Sequence, residues 1–237
     1  MSQIQMNVPD LTKINKFLII SHVVLFLLTQ TLRQLTGIDL IGILGMNAPA
    51  LMSGHLYQAL TYFLVEASFF SMLFNCLLLW FIGGELELKW GRRIYLQFLA
   101  VSILAGALAY SLFAIFFSSS FVPLYGLNGI ILSLLLAYGI VYSDRVMSFM
   151  LIFPMKAKYF CALIAGVELY MAIFSPMAKV AWCHLVAMAA SFVFLKYKSL
   201  ASQGWTFSKM REHMEFEKKK KKLTLIKNDD ENGPKWH

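Results

Sequence analysis

Charged residues are scarce in this sequence. Asp, Glu, Lys and Arg make up 14% of its 237 residues, against roughly 25% in an ordinary soluble domain. Hydrophobic residues make up 59%. A single core in a chain of this length cannot bury that much apolar surface, so the composition excludes a soluble globular enzyme and a disordered protein. It indicates a chain that spans a lipid bilayer.

Cysteine is also scarce, and its distribution excludes two kinds of site. The three cysteines, Cys76, Cys161 and Cys183, lie inside apolar runs without a pairing pattern, so neither a disulfide framework nor a zinc site is indicated. The histidines are scattered along the chain, and the sequence shows no metal-ligand cluster and no glycine-rich phosphate loop. We therefore expect no metal and no cofactor.

Six apolar runs come close to the roughly 20 residues that a helix needs to cross a membrane. They cover residues 17–32, 60–82, 94–117, 124–142, 159–177 and 180–195. We predict an all-α polytopic membrane protein with six transmembrane helices. The predicted organisation is an N-terminal segment at residues 1–16, a membrane domain at 17–195 and a basic tail at 196–237.

The basic residues are unevenly distributed between the two sides of this predicted bundle. With the N-terminus in the cytoplasm, only Arg33 and Lys179 of the 21 Lys and Arg residues fall on the far side, which leaves 19 on the cytoplasmic side. This is the positive-inside bias of membrane proteins, and an even number of spans places both termini in the cytoplasm. The bias also accounts for the formal net charge of +8 without nucleic acid as a partner.

The tail carries the lysine run at residues 218–222, for which two interpretations stay open. The tail docks on anionic lipid, at about 1 kcal/mol per basic residue near the surface, or it is a solvated segment that only fixes the topology. The connection at residues 36–59 is too apolar for a solvated loop, and we expect it to lie at or partly inside the membrane interface.

Two acidic residues fall within the predicted spans. Glu168 lies near the middle of the fifth span, where an ionised carboxylate is costly and is by default a functional candidate. The sequence indicates no partner for it, and a structural role stays open. Glu66 lies near the outer end of the second span, where we expect it to be hydrated.

Several short segments stand in order along spans two, four, five and six. They are Phe-Asn at 74–75, Trp-Phe-Ile-Gly-Gly-Glu-Leu-Glu at 80–87, Gly-Arg-Arg at 91–93, Tyr-Gly-Leu-Asn-Gly at 125–129, Ala-Tyr at 137–138, Phe-Pro-Met-Lys-Ala-Lys-Tyr-Phe at 153–160 and Cys-His-Leu at 183–185. Over roughly residues 15–200 this set resembles the rhomboid family of intramembrane serine proteases (peptidase S54). The resemblance implies a rhomboid-like fold and, from the bacterial members, a place in a bacterial inner membrane.

The resemblance also implies where a catalytic site would lie. Rhomboid proteases are known for a Ser nucleophile at the start of span four, a His base on span six, and a His and an Asn on span two that donate to the oxyanion. In this sequence Asn128 fills the nucleophile position and His184 fills the base position. The span-two pair reads Ser71 and Asn75, so the Asn is kept and the His is lost.

The substitution at the nucleophile position removes the expected chemistry. A carboxamide has no hydroxyl that a neighbouring imidazole can deprotonate, so Asn128 cannot form an acyl-enzyme. Ser133 lies about 7.5 Å deeper along the same helix, and the serines at 118–120 lie in the preceding loop with nothing to fix them. The Trp-Arg pair often found in the family's first external loop is Tyr57-Gln58 here.

Each of these residues also has a structural interpretation. His184 is a relic base, a polar contact to Asn128, or a histidine that ties spans four and six together through hydrogen bonds. Asn128 has the structural interpretation of a residue that joins two helices through a hydrogen bond. Small residues are expected to bring spans four and six close together, with Ala187 in place of a Gly of the family. These residues are Gly126, Gly129, Ala187 and Ser191.

We therefore predict a rhomboid-like integral membrane protein that is catalytically inactive and binds transmembrane segments of client proteins. Its expected partners are such segments, met at the face between spans two and five, and anionic lipids through the tail. An active rhomboid-type intramembrane serine endopeptidase with an atypical site stays open as an alternative. A transporter or channel is the third possibility, which no inverted repeat or pair of broken spans supports.

Overall fold

Helices form nearly all of the regular structure in this computed structural model, which describes residues 11–116, 122–149 and 153–199. Residues 1–10, the serines at 118–120 and the tail from residue 200, with its lysine run, lie outside the described residues. In chain order the helices are α1 (Lys13–Thr36), α2 (Leu40–Leu44), α3 (Ala48–Met52), α4 (Gln58–Thr61), α5 (Phe69–Leu78), α6 (Gly84–Trp90), α7 (Arg92–Phe116), α8 (Asn128–Val141), α9 (Ala157–Phe174) and α10 (Ala178–Ser199). A 3-10 turn (Tyr62–Leu64) and a π-helical turn (Leu79–Gly83) adjoin α4 and α5.

Five helical segments in the described residues are long and apolar enough to cross a membrane: Lys13–Thr36, Phe69–Trp90, Arg92–Phe116, Ala157–Phe174 and Ala178–Ser199. The shorter apolar helix α8 lies in the position of the predicted fourth span. These findings confirm the all-α polytopic class. The tail as a lipid anchor and the three-part division of the chain stay predictions.

Two of the predicted spans begin later than the apolar runs indicated. The second begins at Phe69, because residues 58–64 form α4 and the 3-10 turn instead. The fourth begins at Asn128, because the backbone of Gly126 has a φ of +90°, a conformation that interrupts a right-handed helix. Apolar residues continue through both interruptions, so hydropathy alone could not reveal them.

The connection between α1 and α5 is an ordered loop that contains α2, α3 and α4. The Tyr57 hydroxyl donates to the Ile43 carbonyl over 3.1 Å, and the buried Gln58 amide donates to the same carbonyl over 3.0 Å. The backbone amide of Asn47 in turn donates to Gln58 Oε1 over 3.2 Å. Tyr57 and Gln58 therefore brace this loop.

A short antiparallel hairpin connects α8 to α9. Strands β1 (Val146–Phe149) and β2 (Phe153–Lys156) pair with Val146 opposite Lys156. Just before β1, Asp144 accepts a hydrogen bond from Lys158 Nζ over 3.1 Å. The Lys158 ammonium holds the pKa of the Asp144 carboxyl below its usual value. Residues 146–149 and 153–156 thus form a two-stranded ribbon between the helices.

The chain divides into two units, Met1–Phe194 and Leu195–His237. All of the site residues described below belong to the first unit.

Candidate functional site

The start of α8 is held by the first loop. Met46 and Leu124 exchange two backbone hydrogen bonds of 2.9 Å, and the Gly126 amide donates to the Tyr62 carbonyl over 3.0 Å. The Tyr62 hydroxyl donates to the Ile103 carbonyl over 3.0 Å, and burial raises the pKa of this phenol. The extended segment before α8 is therefore fixed, and it places Asn128 as the first residue of the helix.

A buried carboxylate lies against this helix start. Glu66, with 2% of its surface exposed, accepts a hydrogen bond from the Leu127 backbone amide on Oε1 over 3.1 Å. The same oxygen accepts from Asn75 Nδ2 over 2.7 Å, and Oε2 accepts from the Ser71 hydroxyl over 3.0 Å. The prediction that Glu66 is hydrated was wrong: three protein donors, rather than water, satisfy the carboxylate.

Asn75 joins this carboxylate to the nucleophile position. Its Nδ2 also donates to Asn128 Oδ1 over 3.2 Å and lies 3.5 Å from the Ser71 hydroxyl. The structure thus brings together the three residues that the resemblance assigned to the nucleophile and oxyanion positions, Asn128, Ser71 and Asn75. Glu66, which the resemblance did not include, is the residue that they surround.

His184 makes a different contact from the ones predicted. Its Nδ1 lies 2.7 Å from Glu168 Oε1, so it ties α10 to α9. No hydrogen bond joins His184 to Asn128 in the described part of the chain. The predicted polar contact of His184 to Asn128 and its predicted hydrogen-bonded tie between spans four and six are therefore corrected, because the Glu168 carboxylate supplies the stronger acceptor on the neighbouring helix. His184 as a relic base stays a prediction.

Two of the small residues do bring α8 and α10 into close contact. A Cβ on Gly129 would lie 3.2 Å from His184 Cδ2 and 3.9 Å from Ala187 Cβ. Ser191 is buried, and its Oγ has no hydrogen-bond partner among the residues that the structure describes. Gly126 plays another role than helix packing, because a Cβ there would lie 2.8 Å from Glu66 Oε1. Its missing side chain makes room for the carboxylate.

The alternative nucleophile Ser133 is fully buried between helices. Its hydroxyl donates to the Gly129 carbonyl over 2.8 Å and accepts from the Ser102 hydroxyl of α7 over 2.9 Å. The hydrogen bond between the two serines therefore joins α7 to α8. Ser71, the remaining serine near the site, donates to Glu66.

A cavity of about 460 Å³ opens between α5, α8, α9 and α10. Its aliphatic and methionine walls come from all four helices. Its polar lining residues are Asn75, Asn128, Glu168, Ser175 and His184. Asn128 and His184 therefore line one space, whose volume lies in the range of small-molecule pockets.

The polar groups around the cavity can be compared with the requirements of acyl transfer. His184 and Glu168 are in place, but Asn128 presents a carboxamide to the same cavity. The donors that would stabilise an oxyanion are already hydrogen-bonded to Glu66. Across the residues that the structure describes, no group of three or more His, Cys, Asp or Glu side chains is placed to hold a metal ion.

Sequence reasoning missed the partners of both acidic residues. Glu66 bonds to side chains five and nine residues along the chain and to a backbone amide 61 residues away. The partner of Glu168 lies 16 residues further on, across the turn into α10. The sequence did contain one signal. An acidic residue within a span is costly unless it is paired, so each of these residues could have been expected to have a partner, although the sequence did not indicate which one.

The family to which the chain belongs follows from a comparison of its sequence with family models. A model described as Eukaryotic integral membrane protein (DUF1751) matches residues 16–218, while no curated protein matches the chain. The eukaryotic description overturns the predicted bacterial inner membrane, although the multi-pass membrane location is confirmed. The charge bias behind the topology reports orientation in a membrane, not the kind of cell. With most of its length matched, this chain belongs to that family of eukaryotic integral membrane proteins.

Proposed function

We propose that this protein is a rhomboid-like membrane protein without peptidase activity, which binds transmembrane segments of client proteins in the cavity between α5, α8, α9 and α10. The proposal combines the sequence motifs of a rhomboid protease with a site that has lost two of the elements of its chemistry. These are the nucleophile and the free oxyanion donors.

The position of the Glu66 carboxylate is the observation that carries the proposal. Acyl transfer needs donors that are free to bind the negative oxygen of the tetrahedral intermediate. Here Asn75 Nδ2 and the Leu127 amide both donate to Glu66 Oε1, over 2.7 and 3.1 Å. An oxyanion at that point would have to displace a buried carboxylate that already holds the donors, and the two negative charges would repel one another.

The surroundings of the cavity favour a transmembrane segment as the ligand. The helices that enclose it also expose large apolar side chains, among them Phe74 on α5 and Leu163 on α9. In a bilayer such faces contact lipid or another helix. Polar groups at the centre of a contact between two helices stabilise it through interhelical hydrogen bonds. The polar lining of the cavity provides such groups within an apolar surround.

Restoring the nucleophile tests the proposal. We expect Asn128→Ser to cleave a model transmembrane substrate no faster than Asn128→Ala does, because Glu66 still holds the oxyanion donors and Ser71 still replaces the His of the family. The measurement is the release of product from a labelled substrate in detergent and in reconstituted vesicles.

The double variant Asn128→Ser with His184→Ala is the control for this experiment. Cleavage by Asn128→Ser that disappears in the double variant would contradict the proposal. That outcome would show that the oxyanion donors are usable despite Glu66, and that residue 128 alone had switched off the activity.

A further inference from the structure

The Glu168–His184 pair leaves two hydrogen-bond acceptors free at the wall of the cavity. An ionised carboxylate only accepts, so with Glu168 ionised it is His184 Nδ1 that carries the proton in the 2.7 Å contact with Glu168 Oε1. In the neutral imidazole the other ring nitrogen, Nε2, is then an acceptor. Neither Nε2 nor Glu168 Oε2 has a hydrogen-bond partner among the described residues, although only 9% of the His184 surface is exposed.

The charges of the residues that line the cavity also favour a ligand that donates hydrogen bonds. Glu168 and His184 are its ionisable lining residues, and no lysine or arginine lines it in the part of the chain that the structure describes. The second carboxylate nearby, on Glu66, is occupied by its three donors. The described lining residues thus include a carboxylate but no lysine or arginine, and its unpaired oxygen faces the cavity partly exposed, where it suits a ligand that is a cation and a hydrogen-bond donor.

We propose that the cavity accepts the side chain of a lysine or arginine carried within the transmembrane segment of a client. The ammonium or guanidinium group pairs with Glu168 Oε2 and donates to His184 Nε2, while the aliphatic stem lies along the apolar wall formed by residues such as Ile164 and Met171. This inference rests on the proposed function and names the class of client that it serves. A basic residue is rare and costly within a span, so the pairing distinguishes such clients from ordinary apolar helices.

Synthetic transmembrane peptides in phosphatidylcholine vesicles test this inference. A Leu/Ala host helix carries Lys at its centre, and matched peptides carry Leu, Asn or Glu at that position. Binding to the full-length protein is measured by energy transfer between dyes on the peptide and on the protein. We expect the Lys peptide to bind about tenfold more tightly than the Leu peptide, as an ion pair sheltered from water allows.

Two variants connect this preference to the cavity. Glu168→Gln keeps an acceptor for His184 Nδ1 but removes the negative charge, and we expect it to lower the affinity for the Lys peptide to within about twofold of that for the Leu peptide. Ile164→Val changes the same wall without a change of charge and should preserve the preference for Lys. Unchanged binding of the Leu peptide shows that each variant is folded.

The outcomes separate the two proposals. Equal binding of the Lys and Leu peptides, tighter binding of the Asn or Glu peptide, or a Lys preference that survives Glu168→Gln would overturn this inference and leave the proposed function standing. Failure of every peptide to bind would contradict the proposed function itself.

Discussion

Replacing Glu66 with Leu is expected to lower the free energy of unfolding by about 3–5 kcal/mol, because three buried donors would lose the acceptor that they share. Asn75 Nδ2, the Ser71 hydroxyl and the Leu127 amide all donate to this carboxylate. Leucine accepts no hydrogen bond, so all three donors would be left without their acceptor. Each unsatisfied buried donor costs about 1–3 kcal/mol, and relaxation of the site recovers part of that sum.

Two matched variants complete the stability measurement, which uses a reversible unfolding titration in mixed micelles. Glu66→Gln keeps an acceptor oxygen in nearly the same volume and should cost less than Glu66→Leu. Asp39→Ala removes an exposed carboxylate that caps the short helix α2 through the Ile41 amide, and it should cost about 1 kcal/mol. A Glu66→Leu protein as stable as Asp39→Ala would show that the carboxylate does not hold the start of α8.

Replacing Gly126 with Ala is expected to produce the second large loss of stability. The backbone of Gly126 has a φ of +90°, where a side chain costs about 1–3 kcal/mol in strain. The added Cβ would also lie 2.8 Å from Glu66 Oε1, closer than van der Waals contact allows. The carboxylate would have to move, and its hydrogen bonds to Asn75 and the Leu127 amide would lengthen or break.

Gly54 provides the matched control for this substitution. Its φ is +88°, and a Cβ there meets nothing within 4 Å, so Gly54→Ala measures the cost of the backbone conformation alone. The excess loss in Gly126→Ala then measures the contact with Glu66, for which we expect at least about 1 kcal/mol. Equal losses in the two variants would contradict the tight fit between Gly126 and the carboxylate.

The sequence predicts the spans well because the hydrophobic effect acts on whole segments. An apolar run of about 20 residues has few alternatives to a helix that crosses the membrane. The ends of the spans were less predictable, because they depend on single backbone conformations. Gly126 ends the extended segment before α8 by adopting a positive φ, and neither the apolar residues before it nor those after it signal that change.

The site was predictable only to the extent that the resemblance covered it. The motif positions Asn75 and Asn128 are 53 residues apart in sequence, yet their amides lie within hydrogen-bond distance. Composition and periodicity alone do not indicate this contact. Glu66 and Glu168 are not motif residues, and their partners come from other helices or from a distant backbone amide. A pattern along one chain segment does not encode such long-range pairings, which the packing of the helices determines.

Covalent labelling of the purified wild-type protein with a serine-directed phosphonate tests the central claim most directly. The claim is that the rhomboid-like site has no working nucleophile, because Asn128 lacks a hydroxyl and Ser71 and Ser133 are held in hydrogen bonds to other residues. We expect intact-mass measurement to show no adduct on the wild-type protein, at probe concentrations that fully label an active rhomboid protease run in parallel. An adduct that peptide mapping places on any serine of this chain would contradict it.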